Sequence, residues 1–268
     1  MPLLAIVLIL AVLQGLTEYL PVSSSGHLVL AKHFLPGGEQ LATDASLEVL
    51  LHLGTLLAVV VFYRKRVVDL ARGFFGLGPD VQEQRRLVGL MFIASIPAGV
   101  VGLGFEHQID HLFASPLPAA CALLFTGCVL WYAKRLRVDG KRLSQLTWQG
   151  ALLIGCLQAF AILPGISRSG MTIVTGLRLG LSAENAAAFS FLISIPAILG
   201  AALLKLRDVE STAGMGITEI SLALATSFVV GLAALGLLVW IARQRKLHYF
   251  APYCWALGAG ALVAGLIG

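Results

Sequence analysis

The residues best able to do chemistry lie in a short run, Pro164–Thr172, inside an otherwise apolar stretch of sequence. The run holds one arginine, Arg168, together with the hydroxyl residues Ser167, Ser169 and Thr172. A guanidinium group at membrane depth costs about 2.5–3.5 kcal/mol on insertion scales, so it needs a partner or a function. The proline ends one helix, and the residues after it can begin another whose first backbone N–H groups are unpaired. Arginine, hydroxyls and a helix N-terminus together are typical of a phosphate-binding site.

A second polar cluster follows another proline break, at Pro21. Gln14 and Glu18 lie one helical turn apart before the break and share a helix face. Three serines, a glycine and a histidine follow it: Ser23, Ser24, Ser25, Gly26 and His27. Ionisable groups inside membrane segments are usually functional. If Glu18, Ser24 and His27 meet Arg168, the set has the parts for phosphoryl transfer: a cationic clamp, a nucleophile, and a carboxylate for metal or proton.

The composition defines the elements that must position these groups. Hydrophobic residues make up 58% of the 268-residue chain and charged residues only 12%, whereas soluble domains carry about 25% charged residues. The sequence therefore predicts an all-α integral membrane protein. The net charge of +5 follows from the topology described below, and we predict no nucleic-acid partner.

Eight apolar segments are visible, near 2–20, 45–63, 86–106, 116–133, 149–163, 186–204, 219–242 and 250–268. The first and fifth end at the two proline breaks, which resemble each other, and Ser95–Ala98 is echoed by Ser194–Ala197. If the broken segments are re-entrant, each half has an odd number of spans, and the second half must be inverted.

We therefore predict one polytopic membrane domain, 1–268, with six transmembrane helices and two re-entrant helical hairpins in an inverted-topology repeat. Repeat one covers about 1–133 and repeat two about 149–268. Broken helices in both halves of such a repeat place a binding site near the midplane. The Ile-Pro-Ala echo falls on the second full span of one half and the first of the other, which is consistent with repeats that interlock.

Basic residues are distributed unequally between the two sides of this topology. Three connections, 64–86, 134–142 and 243–246, carry fourteen of them: Arg64, Lys65, Arg66, Arg72, Arg85, Arg86, Lys134, Arg135, Arg137, Lys141, Arg142, Arg243, Arg245 and Lys246. The opposite side has only Lys32, Lys205 and Arg207. The positive-inside rule places the fourteen in the cytoplasm and both termini outside. Eight full spans would give the same distribution, so the charges predict orientation and the proline breaks predict re-entrance.

The two motifs, Gln14–His27 and Pro164–Thr172, closely resemble those of the BacA/UppP family of undecaprenyl pyrophosphate phosphatases. The resemblance implies hydrolysis of the terminal phosphate of the C55 polyprenyl pyrophosphate, which recycles the carrier lipid for peptidoglycan and other cell-wall polymers. It also implies bacitracin resistance, because that antibiotic sequesters the substrate. The expected location is the bacterial inner membrane, with the active site facing the periplasm or outer side.

The resemblance also implies roles for individual residues. The family's site serine, histidine and arginine fall on Ser24, His27 and Arg168, and its first signature, Glu or Gln followed four residues later by Glu, falls on Gln14 and Glu18. With glutamine in the first place, Glu18 remains as the ligand for Mg²⁺ or Ca²⁺. The expected phosphate-binding residues are Ser23, Ser25, Gly26, Ser167, Ser169 and Thr172.

Several alternatives stay open at this level. Either His27 attacks phosphorus directly, which we narrowly favour, or Ser24 attacks while His27 takes its proton. Glu48 and His52, one turn apart, either line the pocket or pair with each other or with loop backbone near the membrane surface; the resemblance implies that the family more often has glutamine at the position of His52. A lipid-phosphate transporter or flippase would share the architecture and the anion cradle. A homodimer is neither required nor excluded.

Overall fold

A computed structural model describes residues 2–34, 45–136, 139–205 and 215–267. Arg137 and Arg207, two of the basic residues used above, lie outside these ranges. The described residues form twelve α-helices: α1 Leu3–Thr17, α2 Ser24–Phe34, α3 Ala45–Phe62, α4 Arg64–Phe74, α5 Val81–Gly104, α6 Glu106–Phe113, α7 Pro116–Tyr132, α8 Trp148–Phe160, α9 Arg168–Arg178, α10 Ala183–Lys205, α11 Ile217–Arg243 and α12 Ala251–Ile267. Within the same ranges the only β-type pairing is an isolated bridge between Lys141 and Leu181.

Both predicted helix breaks are present. Helix α1 ends at Thr17 and α2 begins at Ser24, while α8 ends at Phe160 and α9 begins at Arg168. Helices α1 and α8 contain 15 and 13 residues, which correspond to roughly 22 and 20 Å at 1.5 Å per residue. Since the hydrocarbon core of a bilayer is about 30 Å thick, neither helix is long enough to cross it alone.

Four helical stretches in the described ranges are long and apolar enough to cross a membrane: Val81–Gly104, Pro116–Arg135, Ala183–Leu204 and Ile217–Arg243. Helix α3 followed by α4 gives a fifth if the pair, bent by 81°, is taken as one broken span. The predicted all-α, multi-pass membrane class is therefore confirmed, and the finer topology is taken up below.

The two halves of the chain interlock. Helix α1 packs along α11, α8 packs along α5, and α7 packs against α12. The first two contacts are close: a Cβ added at Gly15 would lie 2.8 Å from a Val230 carbon, and one added at Gly155 would lie 2.4 Å from the Ala94 carbonyl oxygen. Each broken helix is thus held by a long helix from the other half, which brings the two breaks into the middle of the molecule.

Candidate active site

The two helix breaks touch each other. A Cβ added at Gly26 would lie 2.8 Å from the Cα of Gly165, so only glycine allows the two backbones to approach this closely. Gly165 has a φ of +95°, a conformation that residues with a side chain rarely adopt. The predicted meeting of the two tips is therefore present.

Serine side chains begin both helices in the same way. Ser167 Oγ accepts a hydrogen bond from the Gly170 N–H at 3.1 Å, and Ser23 Oγ accepts one from the Gly26 N–H at 3.3 Å. Each capping hydroxyl also lies close to that of the serine two residues later, at 3.1 Å in the first break and 3.2 Å in the second. These are N-caps, which satisfy one of the unpaired N–H groups of a helix terminus.

Glu18 is the centre of the site. Its Oε1 accepts from Arg168 Nη2 at 3.3 Å, and its Oε2 accepts from Ser24 Oγ at 2.6 Å and from Gln14 Nε2 at 3.0 Å. Glu18 is buried and Arg168 is nearly so, with side-chain exposures of 6% and 16%. The carboxylate and the guanidinium therefore neutralise each other where water is scarce, and the carboxylate also orients the Ser24 hydroxyl.

Arg168 is held from its other side by α10. Its Nη1 donates to the Ser190 carbonyl oxygen at 3.2 Å, and the Ser190 hydroxyl lies 2.6 Å from that of Thr172. Thr172 also donates to the Arg168 carbonyl oxygen at 2.8 Å. The guanidinium fork is therefore held by the Ser190 carbonyl oxygen and the Glu18 carboxylate, while the Thr172 hydroxyl holds the Arg168 backbone.

A cavity of about 920 Å³ opens above these groups. Glu18, Ser24 and Arg168 line it, with Ser23, Ser25 and Ser167 beside them. One part of the lining is an apolar face of α10, and another has charged residues from α2 and α6. The α10 face comprises Ala197, Ile198, Ala201 and Leu204, and the charged residues include Lys32 and the exposed Glu106 and Asp110.

Three of the predicted phosphate-binding residues are elsewhere. Among the described residues that line the cavity, Gly26, Ser169 and Thr172 do not appear. Ser169 donates to the Leu20 carbonyl oxygen at 3.2 Å. Thr172 bonds to the Arg168 carbonyl oxygen and the Ser190 hydroxyl, and Gly26 packs against Gly165 of the other break. These residues support the turns on which the cavity-lining groups stand.

His27 also lies behind the site and is absent from the described part of the cavity wall. Its Nδ1 is 2.7 Å from the Ser23 carbonyl oxygen and its Nε2 is 2.6 Å from the Tyr253 hydroxyl. Because a carbonyl oxygen can only accept, Nδ1 carries the proton and Nε2 of the neutral ring accepts from Tyr253. In this arrangement neither ring nitrogen faces Ser24 or the cavity.

Glu48 and His52 both line the cavity. His52 Nδ1 is 2.8 Å from the Glu48 carbonyl oxygen, which leaves Nε2 directed at Glu18 Oε2, 3.8 Å away. The Glu48 carboxylate is 3.7 Å from Lys32 Nζ. Both residues therefore line the cavity, and the backbone group that His52 binds belongs to its own helix, not to a loop.

Sequence reasoning missed three residues that hold the site: Thr126, Ser190 and Tyr253. The Thr126 hydroxyl donates to the Gly165 carbonyl oxygen at 2.8 Å and accepts from the Ser167 N–H at 3.1 Å. Each of the three is a hydroxyl residue in a largely apolar helix, and a polar side chain in such a helix was the signal available.

Comparison with known proteins identifies the chain's relatives. The family model described as bacitracin resistance protein BacA matches residues 7–260. A protein of Desulfatibacillum aliphaticivorans named undecaprenyl-diphosphatase is 44% identical over 274 residues, covering 97% of this chain and 98% of the relative. Proteins of the same name from Syntrophotalea carbinolica and Methanobrevibacter smithii are 41% and 40% identical, covering 94% of this chain and 95% and 94% of their own. The chain therefore belongs to the BacA family.

Proposed function

We propose that this protein is an undecaprenyl-diphosphatase, which removes the terminal phosphate of undecaprenyl pyrophosphate and so recycles the carrier lipid for peptidoglycan. Bacitracin resistance follows from the same activity. The names of the relatives support this, and one observation carries it: Glu18 binds the Ser24 hydroxyl and Arg168 simultaneously at a cavity. A nucleophile, its base and a phosphate clamp are thus assembled in one place.

Ser24 is the group best placed to attack. Its hydroxyl donates to Glu18 Oε2 at 2.6 Å, within the reach required of a general base. As Oγ attacks the terminal phosphorus, its proton passes to Glu18 and the bridging P–O bond breaks, releasing undecaprenyl phosphate. Water then hydrolyses the phosphoserine, freeing inorganic phosphate and restoring the hydroxyl. The position of His27 behind the turn argues for Ser24 over His27 as nucleophile.

Arg168 stabilises the charge that develops on the phosphoryl oxygens. Its fork can bind two of them, and the N-terminus of α9, where Arg168 is the first residue, adds partial positive charge. Because Ser190 and Glu18 already fix the guanidinium, little reorganisation is needed during reaction, the condition under which such donors are most effective.

The site also fits a divalent cation brought by the pyrophosphate. Gln14 Oε1 is buried without a hydrogen-bond partner among the described residues, and the same amide donates to Glu18. The described residues contain no group of three or more His, Cys, Asp or Glu side chains arranged to hold a metal. A shared Mg²⁺ or Ca²⁺ needs fewer protein ligands, because substrate oxygens and water complete its shell. Glu18, which lines the cavity, would hold it; Gln14 is absent from the described cavity lining and would keep the carboxylate in place through its N–H donor. The cation would neutralise charge on the pyrophosphate.

The apolar face of α10 suits the polyprenyl tail. The cavity passes from Glu18 and Arg168 to the α10 face that holds Ile198 and Leu204, and the neighbouring side chains of Leu199 and Leu203 are 43% and 66% exposed. A tail leaving along this face would remain in the bilayer while its headgroup reaches the polar floor. The substrate is thus an amphiphile with a charged end and an apolar end.

The proposed topology has six transmembrane helices and two re-entrant hairpins, α1–α2 and α8–α9, in an inverted repeat with both termini outside. The shortness of α1 and α8 supports re-entrance. Residues of α6 line the cavity. Helix α6 follows the C-terminal end of α5, whereas the basic 64–86 connection leads into the N-terminal end of α5, on the other side of the membrane in this topology. The active site would therefore face outward across the bacterial inner membrane, whether the protein is a monomer or a homodimer.

Phosphate release from undecaprenyl pyrophosphate by the purified protein in detergent tests the activity. Detergent removes membrane sidedness, so a phosphatase releases phosphate whereas a pure lipid-phosphate transporter or flippase does not. Ser24→Ala is expected to be inactive, and Ser95→Ala, altered in a different helix, is the matched control. Wild-type protein that releases no phosphate with Mg²⁺ or Ca²⁺ present would contradict the proposal.

Cysteine labelling tests the orientation. Single cysteines at Ser25, Arg72 and Lys141 would be placed in a background without the four native cysteines and exposed to a membrane-impermeant thiol reagent in intact cells. We expect labelling at position 25 and none at 72 or 141. Labelling at positions 72 and 141 would show that the orientation is the opposite of the one proposed. These two positions decide the test, because a narrow cavity can exclude the reagent from position 25.

A further inference from the structure

A ring pair behind the catalytic turn has no part in the chemistry proposed above. His27 is only 5% exposed and lies parallel to Tyr253, with an interplanar angle of 10° and ring centroids 5.6 Å apart. Tyr253 comes from α12, so its hydroxyl bonds a residue 226 positions away in sequence. The two rings join the last helix of the chain to the first break.

The turn that they hold is strained. Ser23 has a φ of +70°, a conformation that is uncommon for residues other than glycine and persists only where the surroundings enforce it. Its carbonyl oxygen receives both the His27 backbone N–H at 3.2 Å and the His27 ring Nδ1–H at 2.7 Å. The ring therefore fixes the carbonyl side of the strained residue.

The second break shows what happens without such strain. Ser167, the corresponding cap, has an ordinary φ of −77°. Four residues after Ser167 stands Met171, where the first break has His27. The second break, whose cap is unstrained, therefore has an apolar side chain at this position. The first break, whose cap is strained, has an imidazole that is bonded to a tyrosine hydroxyl.

We propose that Tyr253 is a positioning residue for the phosphatase reaction. Its hydroxyl donates to His27 Nε2, which fixes the tautomer in which Nδ1–H holds the Ser23 carbonyl. The next residue, Ser24, is then presented to Glu18 and to the substrate phosphorus. The inference rests on the proposed function for its kinetic consequence, while the ring network itself can be tested without substrate.

The kinetic test uses Tyr253→Phe, which keeps the ring and removes only the hydroxyl. We expect kcat to fall roughly tenfold, because small misplacements of a nucleophile have large effects, while KM stays within about twofold since Arg168 is untouched. Tyr249→Phe is the matched control: Tyr249 is exposed outside the site and contacts His248, and its loss should leave both parameters unchanged. A kcat for Tyr253→Phe within twofold of wild type would overturn the proposal.

The strained residue provides a second kinetic measurement. Glycine adopts positive φ without strain, so in a Ser23→Gly background the turn needs less support. Tyr253→Phe should then lower kcat by less than about threefold relative to Ser23→Gly alone, a coupling between the two sites. An undiminished tenfold effect would mean that Tyr253 acts independently of the turn.

A spectroscopic measurement separates this inference from the phosphatase activity. In protein labelled with ¹⁵N-histidine, the His27 signals, identified by their loss in His27→Asn, should show Nδ1 protonated and Nε2 unprotonated. Tyr253→Phe should populate both tautomers, and Tyr249→Phe should leave the signals unchanged. Unchanged His27 signals in Tyr253→Phe would refute the network. Absence of phosphate release by wild type together with the expected signals would refute only the phosphatase function.

Discussion

The two helix breaks share a scaffold and differ in chemistry. Each begins its second helix with a capping serine that accepts an N–H three residues later. The residue after that cap is Ser24 in the first break and Arg168 in the second, and Glu18 binds both. Matching turns therefore place the proposed nucleophile and a cation in contact with the two oxygens of one carboxylate, which neither break could do alone.

The two glutamines that precede the breaks also have different partners, one in the site and one in the scaffold. Gln14 and Gln158 each precede their capping serine by nine residues. Gln14 donates to Glu18 in the site at 3.0 Å, whereas Gln158 donates to the Ala94 carbonyl oxygen of a packed helix at 3.5 Å. The first break thus carries the proposed nucleophile and base, and the second mainly supplies structure and one arginine.

Each break is also held by a hydroxyl residue from a neighbouring helix. Tyr253 of α12 holds the first break through His27, and Thr126 of α7 holds the second through Gly165 and Ser167. Helices α7 and α12 pack against each other, so the supports belong to one structural unit. Differences between the breaks can therefore be probed with paired substitutions.

Loss of the shared carboxylate should have the largest effect. We expect Glu18→Gln to abolish phosphate release, since it removes the base of Ser24 and the counter-charge of Arg168 together. Gln14→Glu should keep or raise activity, because the resemblance of the Gln14–His27 motif implies either residue at this position. Turnover assays across a metal titration check both. Full rescue of Glu18→Gln by added metal would reassign Glu18, and an inactive Gln14→Glu would show that Glu18 needs the N–H donor of Gln14.

Replacing Arg168, the cation in the second break, should lower the turnover nearly as much. Arg168→Lys is expected to be almost as damaging as Arg168→Ala, because lysine keeps the charge but loses the planar fork. Removing one donor to developing charge lowers rates about 10²- to 10³-fold in comparable sites. Turnover of the lysine variant within about threefold of wild type would exclude the clamp.

Glycines at matched positions should respond unequally. A Cβ at Gly26 would meet Gly165 backbone at 2.8 Å, whereas one at Gly170 would meet Ser167 side-chain atoms at 3.2 Å. We expect Gly26→Ala to destabilise the protein by about 1–3 kcal/mol, as overpacking does, and to lower activity. In Gly170→Ala, gained helix propensity offsets the tighter contact. Thermal unfolding in detergent compares them; equal losses would contradict the close approach of the breaks.

The support of the second break should give the smallest effect. Thr126→Val removes the hydroxyl that bonds Gly165 and Ser167 and leaves their backbone groups unsatisfied, at a cost of about 1–3 kcal/mol. Because the Arg168 side chain keeps its own bonds, we expect a lower Tm with kcat reduced less than tenfold. Thr175→Val, which loses a bond to the Met171 carbonyl oxygen away from the break, is the control. If Thr126→Val lowered kcat more than Gly26→Ala does, the expectation that this support has the smallest effect would be wrong.

The sequence by itself determined the membrane class and the two broken helices. These features depend on local properties: apolar composition and the missing N–H of proline. For the same reason it singled out Glu18, Ser24 and Arg168 as candidate site residues, since polar groups in apolar segments stand out without knowledge of the fold.

Only the tertiary structure decided which of these groups face the cavity. His27, Ser169 and Thr172 bond to the scaffold, while His52 is directed at Glu18. In helices that are apolar on every side, the sequence pattern does not indicate which face is turned inward. The contacts of Glu18 with Arg168 and of His27 with Tyr253 join residues 150 and 226 positions apart, and they arise because interlocked helix packing brings distant segments together.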